Sequence, residues 1–288
     1  MRFQSRRKKF RSVLNGDRCV YPGSVFDPIS ARIAEDIGFE IGMFAGSIAS
    51  FAVLGAPDVI VLTLTEFAQQ AQRINRATEL PLMVDADHGY GNALNVRRTV
   101  EELEMAGVSG MSIEDTELPQ PFGSIGRTKL LSLSEGIGKM KAALDARTDP
   151  NLAIAGRTSA PGATGIDDAV ERAVAYEKVG VDAIFLVGIK TKEDLEKVSN
   201  AIQLPIILGG GGGPEMLDID YLSSKNVRIC LQGHQPFSAA VKAIYHTMKS
   251  LREGTPPGDL EGIASSELMK TVTRDKHYTD MFAKYLNK

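Results

Sequence analysis

Leu80-Pro81-Leu82-Met83-Val84-Asp85-Ala86-Asp87-His88-Gly89-Tyr90-Gly91 is an apolar run that stops at two carboxylates one residue apart, with an amphipathic stretch following at 93–106. Such a run reads as a strand, and the stretch after it as a helix, so the segment is one strand-loop-helix unit. Residues i and i+2 of a strand share a face. Asp85 and Asp87 therefore point the same way and repel each other unless something positive lies between them, and an all-oxygen cluster of this kind suits a hard divalent cation such as Mg²⁺. The plainer use of these residues is a helix cap, for which Asn92 or Asp87 would serve. Against the plainer use stand more acids and an arginine at the same structural level further along the chain.

The unit recurs. Apolar runs at 19–21, 41–45, 82–85, 110–113, 153–156, 183–187, 206–208 and 228–231 alternate with helical patterns at 28–37, 65–78, 93–106, 133–146, 167–179, 192–201, 214–223 and 237–252. Eight such units predict a (βα)8 barrel of the TIM type, spanning residues 1–254. Gly107 and Gly180 each follow a helix and precede a short strand, as a tight connection requires. An open doubly wound sheet competes, but it would carry a glycine fingerprint after its first strand, and none is present. Residues 255–288 begin near Pro256-Pro257-Gly258 and then show helical patterns at 265–272 and 279–285. The barrel is complete without this tail, which is expected to pack over the barrel end or across a neighbouring subunit.

With 288 residues, 43% hydrophobic, the chain can bury a large core, and its net charge of −3 gives no general attraction to nucleic acid or to an anionic membrane. No run is long and apolar enough to read as a membrane span, and the start lacks the apolar core of a signal peptide. The basic opening, Arg6-Arg7-Lys8-Lys9, is expected on a solvated first helix. Cys19 and Cys230 fit neither a disulfide framework nor a zinc pattern, and a cytoplasmic protein with a small-molecule ligand is the expectation.

In barrel enzymes the chemistry sits at the C-terminal strand ends. The second strand delivers Ala45-Gly46-Ser47, small residues that let a ligand approach backbone amides and a hydroxyl, and Asp58 follows on the next loop. The third supplies Asp85 and Asp87, the fourth Glu114 and Asp115, and the fifth Arg157. Acids from neighbouring strand ends require a cation. Arg157 either pairs with Glu114 or Asp115 as a structural bridge or grips a substrate carboxylate through its planar fork; the two uses are compatible. The eighth strand ends at Gln232-Gly233-His234, where a histidine is exposed enough to meet a ligand, while alternation turns His88 away from the acids. The run Gly209-Gly210-Gly211-Gly212-Gly213 lacks the Lys and Ser/Thr of a phosphate loop, so a flexible connection or a close backbone approach is expected there.

Asp85-Ala86-Asp87-His88-Gly89-Tyr90-Gly91, Ser112-Ile113-Glu114-Asp115 and Gly156-Arg157-Thr158, in this order, resemble the isocitrate lyase and phosphoenolpyruvate mutase superfamily. With Val25-Phe26-Asp27-Pro28, Ala45-Gly46-Ser47, Leu118-Pro119, Phe122-Gly123 and Gly233-His234 the chain is most similar to its oxaloacetate decarboxylase branch. The resemblance implies a barrel whose C-terminal helix is exchanged between subunits, a homotetramer built from dimers, and Mg²⁺ dependence, with Mn²⁺ as a substitute. It implies that Asp85 binds the metal directly and that Asp58, Asp87 and Glu114 reach it through waters. Gly46, Ser47, Arg157 and His234 match substrate-binding positions, with Arg157 on a carboxylate and His234 and Arg157 taking part in catalysis. The implied reaction is decarboxylation of a small 2-oxo dicarboxylate, oxaloacetate, to pyruvate and CO₂ through a metal-stabilised enolate. Carbon-carbon lyases of the superfamily carry a cysteine acid after this I-E-D segment; here Glu117-Leu118-Pro119-Gln120-Pro121-Phe122-Gly123 has none, and the lysine and asparagine of a phosphonomutase gate are not evident either. A phosphonopyruvate-type enzyme, another lyase and a non-catalytic dicarboxylate-binding barrel are the alternatives. Two departures are Gly156, where alanine is commoner, and Ser159, where Asp or Asn is commoner.

Overall fold

The computed structural model describes residues 3–124, 126, 128–210 and 212–287. Its strands are β1 (Gly23–Ser24), β2 (Gly42–Phe44), β3 (Leu82–Asp85), β4 (Gly110–Glu114), β5 (Ala153–Thr158), β6 (Ala183–Leu186), β7 (Ile206–Leu208) and β8 (Val227–Cys230). They pair in parallel in sequence order, and a parallel bridge between Val20 and Ile229 joins the first segment to the last, closing the sheet. The fold is thus the expected (βα)8 barrel. The strand expected at 19–21 is reduced to this one bridge. Pro22 has no N–H to give a ladder, so pairing with β2 starts only at Gly23.

The helices are α1 (Gln4–Leu14), α2 (Pro28–Asp36), α3 (Gly46–Ala49), α4 (Leu64–Ala77), α5 (Ala93–Met105), α6 (Leu133–Ala146), α7 (Ala160–Ala163), α8 (Ile166–Val179), α9 (Lys192–Ala201), α10 (Ile219–Ser224), α11 (Gln235–Arg252), α12 (Ser266–Thr273) and α13 (Asp275–Tyr285). Local chemistry sets several of their starts: the Asp27 carboxylate accepts from Ser30 N at 2.7 Å, and the Asn92 side-chain carbonyl from Leu94 N at 2.9 Å. Asn92, then, is the cap of α5, and Asp87 is not needed for it. Gly180 ends α8 in the left-handed region at φ 101°, where an L side chain would be strained.

The chain divides into two compact units, 1–233 and 234–288. In the first, inward side chains of alternate strand positions, including Met43, Met83, Ala155, Phe185, Ile207 and Ile229, form one buried cluster together with Phe10 and Leu14 of α1. Each large apolar side chain buried this way contributes about 1.5–3 kcal/mol. Lys8 and Lys9 of the first helix are exposed as expected, but Arg6 and Arg7 are not. Arg6 donates to the carbonyls of Asn75 (2.7 Å) and Thr78 (3.0 Å), and Arg7 donates to that of Glu104 and to Asp149 Oδ2 (2.8 Å). Both arginines are buried because they meet carbonyls at the C-terminal ends of α4 and α5, which the macrodipole makes favourable for cations. The second unit holds α11, α12 and α13; α11 has no buried residue and carries Val241, Ile244, Tyr245, Met248 and Leu251 exposed at helical spacing.

Gly156 has a structural reason. Tyr176 of α8 is fully buried against it, and a Cβ there would stand 3.0 Å from Tyr176 Cδ2 and 3.3 Å from its Cβ and Cγ. These are atoms of a rigid side chain that also bonds elsewhere, so Gly156→Ala is expected to cost about 1–3 kcal/mol of stability by overpacking. Urea unfolding of the variant measures this, and an unchanged midpoint would refute it.

Candidate active site

Alternation along the strands decides which side chains enter the barrel mouth. On β3, Met83 and then Asp85 face inward; on β4, Ser112 and Glu114; on β5, Ala155 and Arg157, with Asp85 in register with Ser112 and Glu114 with Arg157. Strand β5 runs two residues beyond its expected end, which puts Arg157 inside the ladder beside Phe185 of β6.

These side chains form one network. Asp85 Oδ1 accepts from Ser112 Oγ at 3.0 Å and from Asp87 N at 3.2 Å, while its Oδ2 accepts from Arg157 Nη1. Glu114 Oε2 accepts from Thr116 Oγ1 at 3.0 Å and lies 3.2 Å from Arg157 Nη2. Arg157 thus bridges Asp85 and Glu114. Its carbon centre lies 5.4 Å from the centroid of the Phe185 ring, a stacking contact that restrains the fork. Burial works against the guanidinium charge, yet Asp85 and Glu114 hold its pKa above the ordinary value. Arg157 Nε is buried with no partner among the described residues.

Asp87 and Gly46 meet. Asp87 sits at φ 48°, sparsely populated for a residue with a side chain, and its carboxylate leaves no space at Gly46, where a Cβ would stand 2.5 Å from both oxygens. Burial first, then the charges of Asp85 and Glu114, raise the Asp87 pKa well above the ordinary value; Arg157 opposes them and Asp58 adds to them. Burial raises Glu114 as well. Asp58 lies on an exposed loop, and Ser47 is half-buried beside Gly46 on α3. His234 belongs to the second unit, directly before α11.

Four carboxylates and one guanidinium leave the mouth with surplus negative charge. Among the described residues no three acids converge at ligand distances around one point, since Arg157 lies between Asp85 and Glu114. That arrangement suits a cation which keeps most of its waters and takes one or two direct carboxylates, as Mg²⁺ does. The all-oxygen donor set fits such an ion.

A carboxyl whose folded pKa is raised contributes stability that is present below its ordinary value near 3.8 and is lost as pH rises through the elevated one. In EDTA, Asp87→Asn is therefore expected to melt higher than the parent at neutral pH, with the gap closing on acidification. Parallel melting curves across pH would contradict this.

Other expected residues lie elsewhere. Asp115 follows Glu114 and so faces outward, where Tyr176 Oη (2.6 Å) and Arg172 Nη1 (3.0 Å) donate to its Oδ2. His88 also turns away and is buried, and burial followed by the nearby Lys139 lowers its pKa to about 4. The glycine run is a close approach: a Cβ on Gly210 would meet Leu231 O at 2.5 Å and one on Gly212 would meet Met216 Cβ at 2.5 Å. Gly209, Gly210 and Gly212 line an apolar cavity of about 370 Å³ with Leu186, Leu208 and Cys230. Gly211 lies outside the described residues, as do Ile125 and Arg127 of the loop after β4. Sequence reading missed Ser112, Thr116 and Phe185; the period of two, counted back from Glu114, points to Ser112, whereas Phe185 is reached only through the β5–β6 register.

The profile of the phosphoenolpyruvate phosphomutase family matches residues 10–252. An oxaloacetate decarboxylase of Bradyrhizobium diazoefficiens is 58% identical over 276 residues, 96% of this chain and 95% of that protein. Another, of Rhodopseudomonas palustris, is 58% identical over 274 residues, 95% of this chain and 94% of that one. Among solved structures, phosphonopyruvate hydrolase in complex with oxalate and Mg²⁺ is similar at a TM-score of 0.87 and 26% identity, over 98% of this chain and 99% of its own. Oxaloacetate acetylhydrolase with the inhibitor 3,3-difluorooxalacetate is similar at 0.85 and 27%, over 98% of both chains.

Proposed function

The chain belongs to the phosphoenolpyruvate phosphomutase family, and on that footing we propose that it is a Mg²⁺-dependent oxaloacetate decarboxylase, releasing pyruvate and CO₂. Arg157 is the observation that carries this: a charged fork at the mouth, held between Asp85 and Glu114 and over the Phe185 ring. The chain's full-length relatives among the decarboxylases narrow the ligand to a 2-oxo dicarboxylate.

Asp85 would hold the cation directly, with Asp87, Glu114 and Asp58 acting through waters; Mn²⁺ satisfies the same oxygen set. When bound, such a cation would supply Lewis acidity toward the 2-oxo group. Arg157 orients the carboxylate that stays. Ser47 Oγ and the backbone at Gly46 bind the same end, and His234 hydrogen-bonds the substrate. Across the mouth, Phe185, Val187 and Leu231 pack on the barrel core and give the departing carboxylate a poorly solvated wall, where losing charge as CO₂ is easier. Cys19 and Cys230 are buried at and beside β8 and not on the loop after Glu114-Asp115, so neither stands where the acid of a cysteine-dependent lyase would.

The exposed apolar stripe of α11, the helix expected to be the barrel's eighth, supports association between copies of this chain, and the accompanying proposal is a homotetramer built from dimers that exchange the C-terminal segment. Among the described residues no helix is long and apolar enough to cross a membrane; a cytoplasmic enzyme is the accompanying proposal. A panel of 2-oxo acids assayed with Mg²⁺ and with EDTA tests the activity. Oxaloacetate is expected to yield CO₂ at a rate that EDTA abolishes and Mg²⁺ restores. Absence of CO₂ from oxaloacetate, with phosphonopyruvate or 2-methylisocitrate consumed instead, would defeat the proposal.

A further inference from the structure

The turn that follows Asp85 and carries Asp87 is strained. Asp87 (φ 48°), Gly89 (75°), Tyr90 (60°) and Gly91 (147°) all lie at positive φ, and for the two with side chains this costs about 1–3 kcal/mol each. Something must over-determine such a path. Ala86 O accepts from Gly89 N at 2.9 Å and Asp87 O from Glu114 N at 2.8 Å, His88 O from Lys139 Nζ at 2.6 Å, and Gly89 O from Thr99 Oγ1 at 3.0 Å. Consecutive carbonyls are thus tied, one to the loop itself, one to β4, one to α6 and one to α5.

Lys139 is the unusual member of the set. It is 2% exposed, and a buried ammonium is costly unless charge compensates it. Burial lowers its pKa, while Glu135, Glu114 and Asp115 oppose that shift. A methionine would fill the space on α6 without the cost of desolvation. What only the ammonium provides is a charge-assisted bond to His88 O, with Glu135, Glu114 and Asp115 near enough to favour its charge.

We infer that Lys139 is a positioning residue for the metal-holding loop: it clamps the strained turn between Asp87 and Gly89 and thereby sets where the Asp85 and Asp87 carboxylates stand. The inference rests on the divalent-cation reading of the site but not on which 2-oxo acid is turned over.

Lys139→Met, Lys139→Arg and Thr99→Val in the full-length protein test it, with two measurements. Hydrogen exchange at 86–91 is expected to accelerate in Lys139→Met while the barrel strands stay protected. Mg²⁺ affinity by calorimetry is expected to fall about 10- to 100-fold, the usual effect of losing an outer partner of a metal site. Lys139→Arg, which still donates, should recover part of both. A folded Lys139→Met whose only change is a lower Tm, with loop exchange and Mg²⁺ affinity as in the parent, would overturn the inference. If Lys139→Met does not fold, Lys139→Gln, which keeps a polar side chain but not the charge, decides: unchanged loop exchange and Mg²⁺ affinity there would overturn the inference, while Thr99→Val, which cuts only the neighbouring tie, should loosen the loop less. A parent protein that binds no Mg²⁺ would sink it too. A parent that binds Mg²⁺ but releases no CO₂ from oxaloacetate would defeat the proposed activity alone, since loop exchange and affinity still judge Lys139.

Discussion

Asp85→Ala is expected to lower kcat/KM for oxaloacetate by more than about 10³-fold, because the Lewis-acid contribution it anchors amounts to several kcal/mol at about 1.4 kcal/mol per decade. Asp85 is the acid best placed to hold the cation, being the last residue of β3, with Ser112 and the Asp87 amide fixing one of its oxygens. The other oxygen faces Arg157. Asp85→Asn keeps an oxygen that can accept from Ser112 but loses the charge, so it is expected to be nearly as impaired. Circular dichroism and Tm on both variants separate lost chemistry from lost fold. Full activity in folded Asp85→Ala would remove the proposed metal role.

Arg157→Met is expected to reduce kcat/KM by about 10²- to 10³-fold, since truncating one partner of a desolvated, hydrogen-bonded charge pair costs about 2–5 kcal/mol. Arg157→Lys should rescue little, because a point charge cannot reproduce a fork that spans Asp85 and Glu114 and stacks on Phe185. The cation responds differently. Removing a positive group from between two carboxylates leaves the mouth more negative, so Mg²⁺ affinity should hold or rise while turnover collapses. Steady-state kinetics paired with Mg²⁺ titration checks this; a parallel loss of affinity and activity would mean that Arg157 only props up the acids.

Much of the barrel was legible because its strands are short apolar runs ended by small or polar residues. Helices α6 and α9 match their expected bounds. Failures came where a long-range partner overrode local pattern. The basic first helix reads as solvated until Arg6 and Arg7 meet the carbonyls at the ends of α4 and α5. Strand β5 reads as ending at Gly156, yet the β6 ladder carries it through Thr158. The π-helical turn at Ser50–Leu54 has no signature in composition or spacing.

Within the site, the chain's own order of residues settles which side chains enter the mouth. A period of two sends Asp85, Glu114 and Arg157 inward and Asp115 outward to Tyr176. Tertiary structure alone decides that Arg157 bridges Asp85, 72 residues away, that Lys139 reaches His88 O, and that Gly46 cradles Asp87. Side-chain alternation is a local property of the extended backbone, whereas strand register and helix docking are set by packing among segments far apart in the chain, and no local periodicity encodes them.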